Sequence, residues 1–567
     1  MPTLTKKDKQ DIVLQIISDY KKALEFQRPY FTNFNEYYKL YRSILDSSMQ
    51  SYNGRANLFV PMIYSTIETI MPRLVGSKPK VNAIPREAND ITNAESVSKL
   101  LDYQWDIMGM KIITKNWMKQ TLLYGTGIVK LVWEEDKPRA DLIDLFDFYI
   151  DPFATSIKDA DYVIQRLERS LDYLKKSPLY KLPKELVAEV SDNEYKIQRD
   201  AIVGVTKPSK NNKLVELWEY WGKYDFGNGE EEAVIVIANR KYIIRIEPNP
   251  YSHKKKPFIE LHDIQIPHEF WSVGEVEPLK FLQYELNDIR NQRMDNVTLI
   301  LNRMWIVDKG ADIDEEELVS QSGGVIHTGN MNGIKDLQTP DVTASSYNEE
   351  TFVKDDAKTA SGVNDFISGS PGNSKNQSSI GNDTATGIML LQEAGNARFK
   401  YKMDNLEDSL KEFGRQLIAL DQQFLETEMM VRVVGEGGMK WVTLNPQDIQ
   451  GEYDLEVEAG STQPMNKSVR RAEARELLVT AQPFIQMGVL NPSYFIKHLL
   501  ETYDLTNINE AFNQQVSMAP GMPTAPGAQG PMGQLGGQAG AVFGGNVGNR
   551  PNAPLTKLGT PPKPVEA

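Results

Sequence analysis

The chain has no cysteine among its 567 residues. Disulfide bonds, thiolate catalysis and cysteine-based zinc sites are therefore excluded, and synthesis inside a cell fits best. Long apolar runs are also missing, because none approaches the roughly 18 residues of a membrane span. The N-terminal MPTLTKKDKQ lacks the apolar segment of a signal peptide. We expect a protein that is neither membrane-embedded nor secreted by that route.

Positive charge is in deficit, with 63 lysines and arginines against 77 acids and a formal net charge of -14. Tight non-specific binding of nucleic acid needs many lysine and arginine contacts with phosphates. The composition therefore argues against a surface that grips nucleic acid throughout. It remains compatible with DNA that passes by, because a channel in which DNA slides is better served by weakly binding or repulsive walls.

Histidine is scarce, with five residues in the chain. Only the pairs His262-Asp263 and His268-Glu269 have a spacing that could hold a metal. Their segment also contains Ile264, Ile266 and Pro267, which favours a strand and a turn over a preorganised site.

Residues 312–317 (DIDEEE) could belong to a two-metal nuclease, but consecutive acids on a short helix point in different directions. A solvated helix start explains them better. The Gly-rich segments at 125–130 and 372–379 lack the spacing of a phosphate-binding loop. We predict no catalytic centre, no metal and no cofactor, and keep a metal-dependent nuclease as the alternative.

The first 270 residues have the periodicities of an α+β domain. Helices are predicted over 9–45, 57–75 and 94–123, the last capped by Thr92 or Asn93. A charged helical insertion at 156–207 is expected to be a solvated face. A mostly antiparallel sheet is predicted from short runs rich in Val, Ile, Tyr and Trp, at 128–133, 141–145, 214–220, 233–237 and 242–246.

The stretch from Pro278 to Asp383 organises the chain. Apolar residues recur at three- and four-residue steps over 271–304, which predicts a long helix with one dry side. A small module follows, predicted as strand, acidic turn, short helix, Gly323-Gly324 turn and strand. A second helix is predicted over 346–366, and then a loop rich in Gly, Ser and Asn that contains one basic residue, Lys375.

A helix of more than 40 residues is predicted from Asp383 or Thr384 to about Met429, with bends favoured at its glycines. Its heptad-like apolar positions leave a coiled-coil adaptor as another alternative. Strands are predicted next at 431–434, 440–444 and 455–459, and helices at 466–481 and 492–503. From 520 onward the Gly/Pro-rich tail should stay disordered.

These features together resemble a known family, the portal proteins (head-to-tail connectors) of tailed double-stranded DNA phages, particularly of the short-tailed type. The resemblance spans roughly residues 30 to 510. It depends on the order and spacing of four strings: NLFVPMIYSTIETIMPRLVG, LLYGTGIVKLVW followed by DLFDFYIDP, NPYSHKKKPF, and GNDTATGIMLLQEAGNARFKYKMDNLEDSL.

The resemblance implies a subunit with wing, stem, clip and crown regions, without enzymatic activity. The implied regions are the wing at 1–270, the first stem helix at 271–304, the clip at 305–345, the second stem helix at 346–367, the tunnel loop at 368–383, the long wing helix and wing strands at 384–465, the crown at 466–514 and a disordered tail at 515–567. Since the tail has no heptads, no coiled-coil barrel is expected beyond the crown.

The resemblance also implies partners and a location. Portal subunits form a homo-oligomeric ring, typically of twelve, at one capsid vertex of the virion, after synthesis in the host cytoplasm. Double-stranded DNA passes through the ring during packaging by terminase and during ejection. Major capsid and scaffolding proteins and tail adaptor proteins are the other expected partners, and no membrane contact is expected.

Three groups of candidate site residues follow from the resemblance and the residue chemistry. The tunnel loop would present Ser374, Lys375, Asn376, Gln377 and Ser378 to DNA. The clip rim would present Asp312, Asp314, Glu315, Glu316 and Glu317 to terminase or the tail. Stem-helix charges that would pair between neighbouring subunits are Glu285, Asp288, Arg290, Arg293 and Asp295.

Overall fold

The computed structural model describes residues 5–45, 55–76, 79–86, 91–204, 214–226, 229–302, 304–310, 313–314, 317–318, 325–337, 343–363, 367, 385–426, 429–435, 438–457, 467–487, 490 and 492–501. All of them belong to one compact unit, Met1–Asn509. Helices and antiparallel strands both occur in it, which confirms the α+β class. The second unit, Glu510–Ala567, and with it all of the predicted disordered tail, lies outside the described residues.

The N-terminal helices are α1 (Lys6–Tyr41), α2 (Met62–Leu74), α3 (Ile91–Ile107) and α4 (Met110–Tyr124). The last two occupy the region predicted as a single helix. Gly109 separates them with φ of +67°, a left-handed conformation that glycine adopts without steric cost. Thr92 and Asn93 lie inside α3, so the prediction that one of them caps the helix is wrong.

The strands of the N-terminal half form two antiparallel sheets that share one hydrophobic core with the helices. A small two-stranded pairing also joins β1 (Val81–Pro85) to β14 (Tyr453–Val457), near the other end of the described chain. The three-stranded sheet has the spatial order β3 (Lys137–Leu142), β2 (Thr126–Glu134), β9 (Phe258–His262). The five-stranded sheet has the order β4 (Phe148–Ile150), β5 (Tyr162–Ser170), β6 (Leu214–Asp225), β7 (Glu230–Ala238), β8 (Tyr242–Pro248).

The expectation of a solvated helical insertion at 156–207 is wrong for its first part. β5 lies between β4 and β6 inside the sheet, and Arg166 on it is only 3 % exposed. Arg166 Nε donates to Glu216 Oε1 on β6 at 2.9 Å. Charges on neighbouring strands can be buried as a pair, and composition does not distinguish such pairs from solvated charges. Two short helices follow, α5 (Leu171–Lys176) and α6 (Glu194–Ile202).

The central stretch contains α7 (Val276–Leu301), β10 (Trp305–Val307), β11 (Ile334–Asp336) and α8 (Thr343–Ser361). Both helices are shorter than predicted, and α8 stops before Gly362, which has φ of +72°. β10 pairs with β11, whereas the second strand of the module was expected directly after Gly323-Gly324. An isolated bridge between Ile313 and Thr328 lies in that segment instead.

The C-terminal part contains α9 (Ala385–Phe424), β12 (Met429–Gly435), β13 (Gly438–Leu444), the β14 strand, α10 (Lys467–Gln486) and α11 (Pro492–Glu501). α9 is a single helix of 40 residues, or roughly 60 Å at about 1.5 Å per residue. Among the described residues, no helix combines the length and the apolar character that a membrane span requires.

The heptad-like apolar row of α9 is buried in the core of its own chain, so the coiled-coil adaptor is not supported. Five of its positions are fully buried: Leu406, Leu410, Phe413, Leu417 and Leu420. Gly414 on the same helix serves close packing, because a Cβ there would lie 2.6 Å from Leu455 Cδ1 on β14.

Candidate functional site

α7 and α8 pack as an antiparallel helix pair joined by a buried ion pair. Arg293 is 3 % exposed and its guanidinium meets the carboxylate of Glu350, which is 8 % exposed. Lys354 Nζ and Arg290 Nη1 lie 2.6 and 3.6 Å from the same carboxylate. Burial tends to raise the pKa of Glu350, but the hydrogen bonds from Lys354 and Arg293 lower it overall. Glu350 therefore stays ionised between three cations and fixes the two helices to each other.

Three of the five predicted stem charges have partners within the same chain. Arg290 and Arg293 meet Glu350, and Asp295 accepts a hydrogen bond from the backbone N–H of residue 56. Glu285 and Asp288 are exposed on α7. These two acids are the remaining candidates for contacts with a neighbouring subunit.

An extended segment, residues 55–61, lies along α7, and we call it the strap. Its alternate backbone N–H groups, and that of Ile63 just after it, donate to side chains of α7. The pairs are Ala56 to Asp295, Leu58 to Asn291 (2.6 Å), Val60 to Asn287 (3.0 Å) and Ile63 to Gln283 (3.2 Å). Asn291 and Gln283 also donate to the carbonyls of Leu58 and Val60, at 3.1 and 2.7 Å.

The strap and α7 match because their repeats are nearly equal. Two residues of extended chain rise roughly 6.6 Å and four residues of α-helix roughly 6.0 Å, so every second strap residue meets every fourth helix residue. The buried side of α7 is therefore half polar, because Gln283, Asn287 and Arg293 are buried along with the apolar residues Val276, Leu279 and Leu286. The spacing of 283, 287, 291 and 295 was visible in the sequence, but the strap that it binds lies more than 200 residues away.

The small module between α7 and α8 contains the predicted clip-rim acids. Glu317 accepts hydrogen bonds from the backbone N–H of His327 at 2.6 Å and lies 2.9 Å from its Nδ1. The first of these bonds is the main cause of a lowered pKa for Glu317. Asp314 is exposed, whereas Asp312, Glu315 and Glu316 lie outside the described residues.

The predicted tunnel-loop residues, 374–378, lie outside the described residues. Two arginines from separate helices hold the described chain just before that loop. Arg73 of α2 donates to the carbonyl of Ile367 at 2.7 Å. Arg398 of α9 donates to the carbonyls of Thr359 and Ala360, at the end of α8, at 3.0 and 3.1 Å.

A comparison with known protein families shows which family this chain belongs to. The family model described as "Phage SU10 portal protein" matches residues 134–540, which is well over half of the chain. The chain belongs to this family of phage portal proteins. The resemblance stated from the sequence strings is thereby confirmed, and the match includes the helix pair and all of α9.

Portal proteins are structural, non-enzymatic connectors in the phage capsid. Of the residues of the nuclease alternative, His262 and Asp263 occupy structural positions in this chain, whereas His268 and Asp314 are exposed. His262 is half-buried, and its Nδ1 lies 2.9 Å from Ser272 Oγ and 3.3 Å from Thr126 Oγ1. Asp263 is buried against Lys402. Within the described residues, no group of three or more potential ligands could hold a metal ion.

Burial raises the pKa of Asp263 to about 7, and the positive charge of Lys402 opposes that rise. Asp263 is paired with the buried amine of Lys402, so it joins the chain just after β9 to α9.

Proposed function

We propose that this portal subunit assembles into a ring, typically of twelve copies, at one capsid vertex. Terminase would drive double-stranded DNA through the ring during packaging, and the same channel would retain and later release the genome. Tail adaptor proteins would dock on the outer end, and major capsid and scaffolding proteins would contact the wing. Membership of the portal family, in a chain with a long antiparallel helix pair, carries this proposal.

The helix pair is the proposed stem and the module between its helices the proposed clip. α7 has 26 residues and is roughly 39 Å long at about 1.5 Å per residue. The α+β body, 1–270 with 384–465, would be the wing, 368–383 the tunnel loop and 466–514 the crown. A net charge of -14 per subunit favours a channel wall that does not bind DNA tightly.

Images of the purified full chain test the ring directly. We expect negative-stain micrographs to show rings with a central hole. Mass photometry should give a mass that is a whole-number multiple of 64.2 kDa, close to twelvefold. Monomers or rods at micromolar concentration would contradict the proposal.

The clip rim is the proposed contact for terminase or a tail adaptor. Asp314 is exposed, and Asp312, Glu315 and Glu316 are its neighbours in the sequence. Glu317 is less suitable for such a contact because it already holds His327. Lysine in place of Asp312, Asp314, Glu315 and Glu316 should weaken binding to terminase and to the tail adaptor. Unchanged binding of both partners would argue against the assignment.

Lys375 is the proposed contact between the tunnel loop and DNA phosphates. It is the only basic residue between Lys358 and Arg398, so its loss removes all positive charge from that stretch. We expect Lys375→Ala virions to package more slowly or to lose genome after packaging, measured by encapsidated DNA length over time. Lys335→Ala, which removes an exposed lysine of the module, is the control. Normal packaging rate and retention in Lys375→Ala would rule out this role.

A further inference from the structure

One polar row of α9 contacts several other elements of the subunit. Its members are spaced by four, three and four residues, so they share one side of the helix beside the buried apolar row. Asn405 Nδ2 donates to the carbonyl of Asp263 at 3.0 Å and Ser409 Oγ to the carbonyl of Glu260 at 2.8 Å, which holds β9 and the chain just after it. The other two members, Arg398 and Lys402, reach the helix pair.

Lys402 holds the first turn of α7. Its Nζ lies 2.6 Å from Glu275, the residue that precedes α7, and also bonds Asp263. All three side chains are nearly fully buried. Burial lowers the pKa of Lys402, but the two carboxylates raise it overall, so the amine stays charged. A carboxylate at a helix N-terminus is also favoured by the helix dipole, so this joint suits the end of α7 that it holds.

Arg398 holds the last turn of α8. Its guanidinium donates to two carbonyls there, where a helix has unpaired acceptors and a partial negative charge. Gly362 follows directly, and a Cβ at that position would lie 2.9 Å from Arg398 Cδ. Glycine thus supplies both the left-handed backbone and the room for the arginine.

These contacts meet at one end of the helix pair. Because α7 and α8 are antiparallel, the start of α7 lies beside the end of α8. Residues 398 and 402 are one turn apart on α9, so a single turn of α9 holds both helices by their ends. Arg398 contacts the C-terminal end of α8 directly, and Lys402 contacts the N-terminal end of α7 through Glu275.

We propose that Arg398 and Lys402 are positioning residues that set the placement of the two stem helices against α9. Arg398 positions α8, and Lys402 positions α7 through Glu275. Because Glu350 already fixes the middle of the two helices to each other, each contact positions the end of one helix, and loss of one contact displaces that end. The consequence for DNA transport depends on the proposed portal function, but the positions of the helices within one chain do not.

The lack of cysteine allows a direct test with spin labels. Cysteines at Asp356 and Lys400 report the separation of α8 and α9, and cysteines at Phe281 and Lys400 report that of α7 and α9. These three positions are exposed. The doubly labelled full chain is co-assembled with an excess of unlabelled wild-type chain, so that each ring carries at most one labelled copy.

Arg398→Ala is the main variant, because its side chain is exposed and its loss should leave the fold intact. Double electron–electron resonance should show the α8–α9 distance broadened and shifted by roughly 2 Å or more, the scale of helix shifts between alternative packings. The α7–α9 distance should stay unchanged. In Arg398→Lys the α8–α9 distance should return part of the way to its wild-type value. Unchanged distances in Arg398→Ala would overturn the proposal, as would an equal shift of both pairs.

Lys402→Met is expected to displace α7, but it also leaves buried carboxylates without a partner and can prevent folding. Glu275→Gln gives the second arm, because it weakens the Lys402 contact and keeps the side-chain shape. We expect it to broaden the α7–α9 distance and leave the α8–α9 distance unchanged. The opposite pattern would also overturn the assignment. Both distances lie within one chain, so they can also be measured in an unassembled subunit. Failure of the wild-type chain to form rings would therefore count against the proposed portal function and not against the positioning roles of Arg398 and Lys402.

Discussion

Replacement of both Asn287 and Asn291 by leucine is expected to release the strap from α7. The double variant removes the acceptors for the Leu58 and Val60 N–H groups and the donor for the Leu58 carbonyl. Each bond contributes about 0.5–1.5 kcal/mol net, so the strap should lose about 2–4 kcal/mol of its local stability. Hydrogen exchange over 56–63 should accelerate by roughly two orders of magnitude, since about 1.4 kcal/mol corresponds to tenfold.

Trypsin gives an independent measurement, because Arg55 is the only lysine or arginine between Arg42 and Arg73. Cleavage after Arg55 should become faster in the double variant. Gln292→Leu is the control, as it places the same side chain at an exposed position of the same helix. Exchange and cleavage rates equal to those of the wild type would show that the strap is held by packing and not by the asparagine row.

The sequence predicted the helices and strands better than it predicted the contacts that hold them together. The periodicity of α7, α8 and α9 placed three helices close to their observed bounds, because burial of one face imposes a repeat that is local in the chain. The residues that hold these helices together are polar, and their partners are distant. Arg293 and Glu350 are 57 positions apart, and a single charged residue in a helix is compatible with either a solvated or a paired position.

The largest errors have the same physical origin. β5 lies in a stretch that was predicted to be solvated from its lysine and glutamate pairs, yet Arg166 is buried against Glu216 of the next strand. The apolar row of α9 has the steps of a coiled coil, yet it packs against the core of its own subunit. A local pattern indicates that a face is covered, but it does not identify the element that covers it. The family resemblance was more informative because it used the order of several segments.

Polar rows on α7 and α9 perform related tasks in the subunit. On α7, side chains four residues apart bind alternate residues of the strap. On α9, Asn405 and Ser409 are also four residues apart, and they bind the carbonyls of His262 and Glu260 at alternate residues of β9. Four residues of helix and two residues of extended chain have nearly the same length, so a helix can cover the unpaired edge of an extended chain. Without such a cover, that edge would be free to pair with another protein.

Asp421→Asn is expected to stabilise the subunit, with a gain that depends on pH. Asp421 lies on α9 and is 1 % exposed; its Oδ1 accepts a hydrogen bond from Gln104 at 2.6 Å. Burial raises its pKa to about 8, although the bond from Gln104 opposes the rise. In the unfolded chain an aspartate ionises near pH 4, so between about pH 4 and pH 8 the folded state binds more protons than the unfolded state.

Stability should therefore fall as pH rises from about 4 to 8, and the loss should be complete above the folded pKa. Over three pH units of that window the free energy of unfolding would fall by about 4 kcal/mol. Relaxation of the protein around the ionised carboxylate reduces the expected loss at neutral pH to roughly 2–4 kcal/mol. Asparagine keeps the acceptor for Gln104 and cannot ionise, so it removes this loss. Thermal unfolding from pH 5 to 9 should show a difference between variant and wild type that grows to pH 8 and then stays constant.

Asp404→Asn provides the matched control, because Asp404 is exposed on the same helix. This variant should differ little from the wild type at any pH, since an exposed carboxylate interacts with water in both the folded and the unfolded state. A constant difference between Asp421→Asn and the wild type would mean that Asp421 does not gain a proton on folding. Destabilisation by Asp421→Asn would mean that the ionised carboxylate is the folded form, with a cation or water close enough to compensate for its burial.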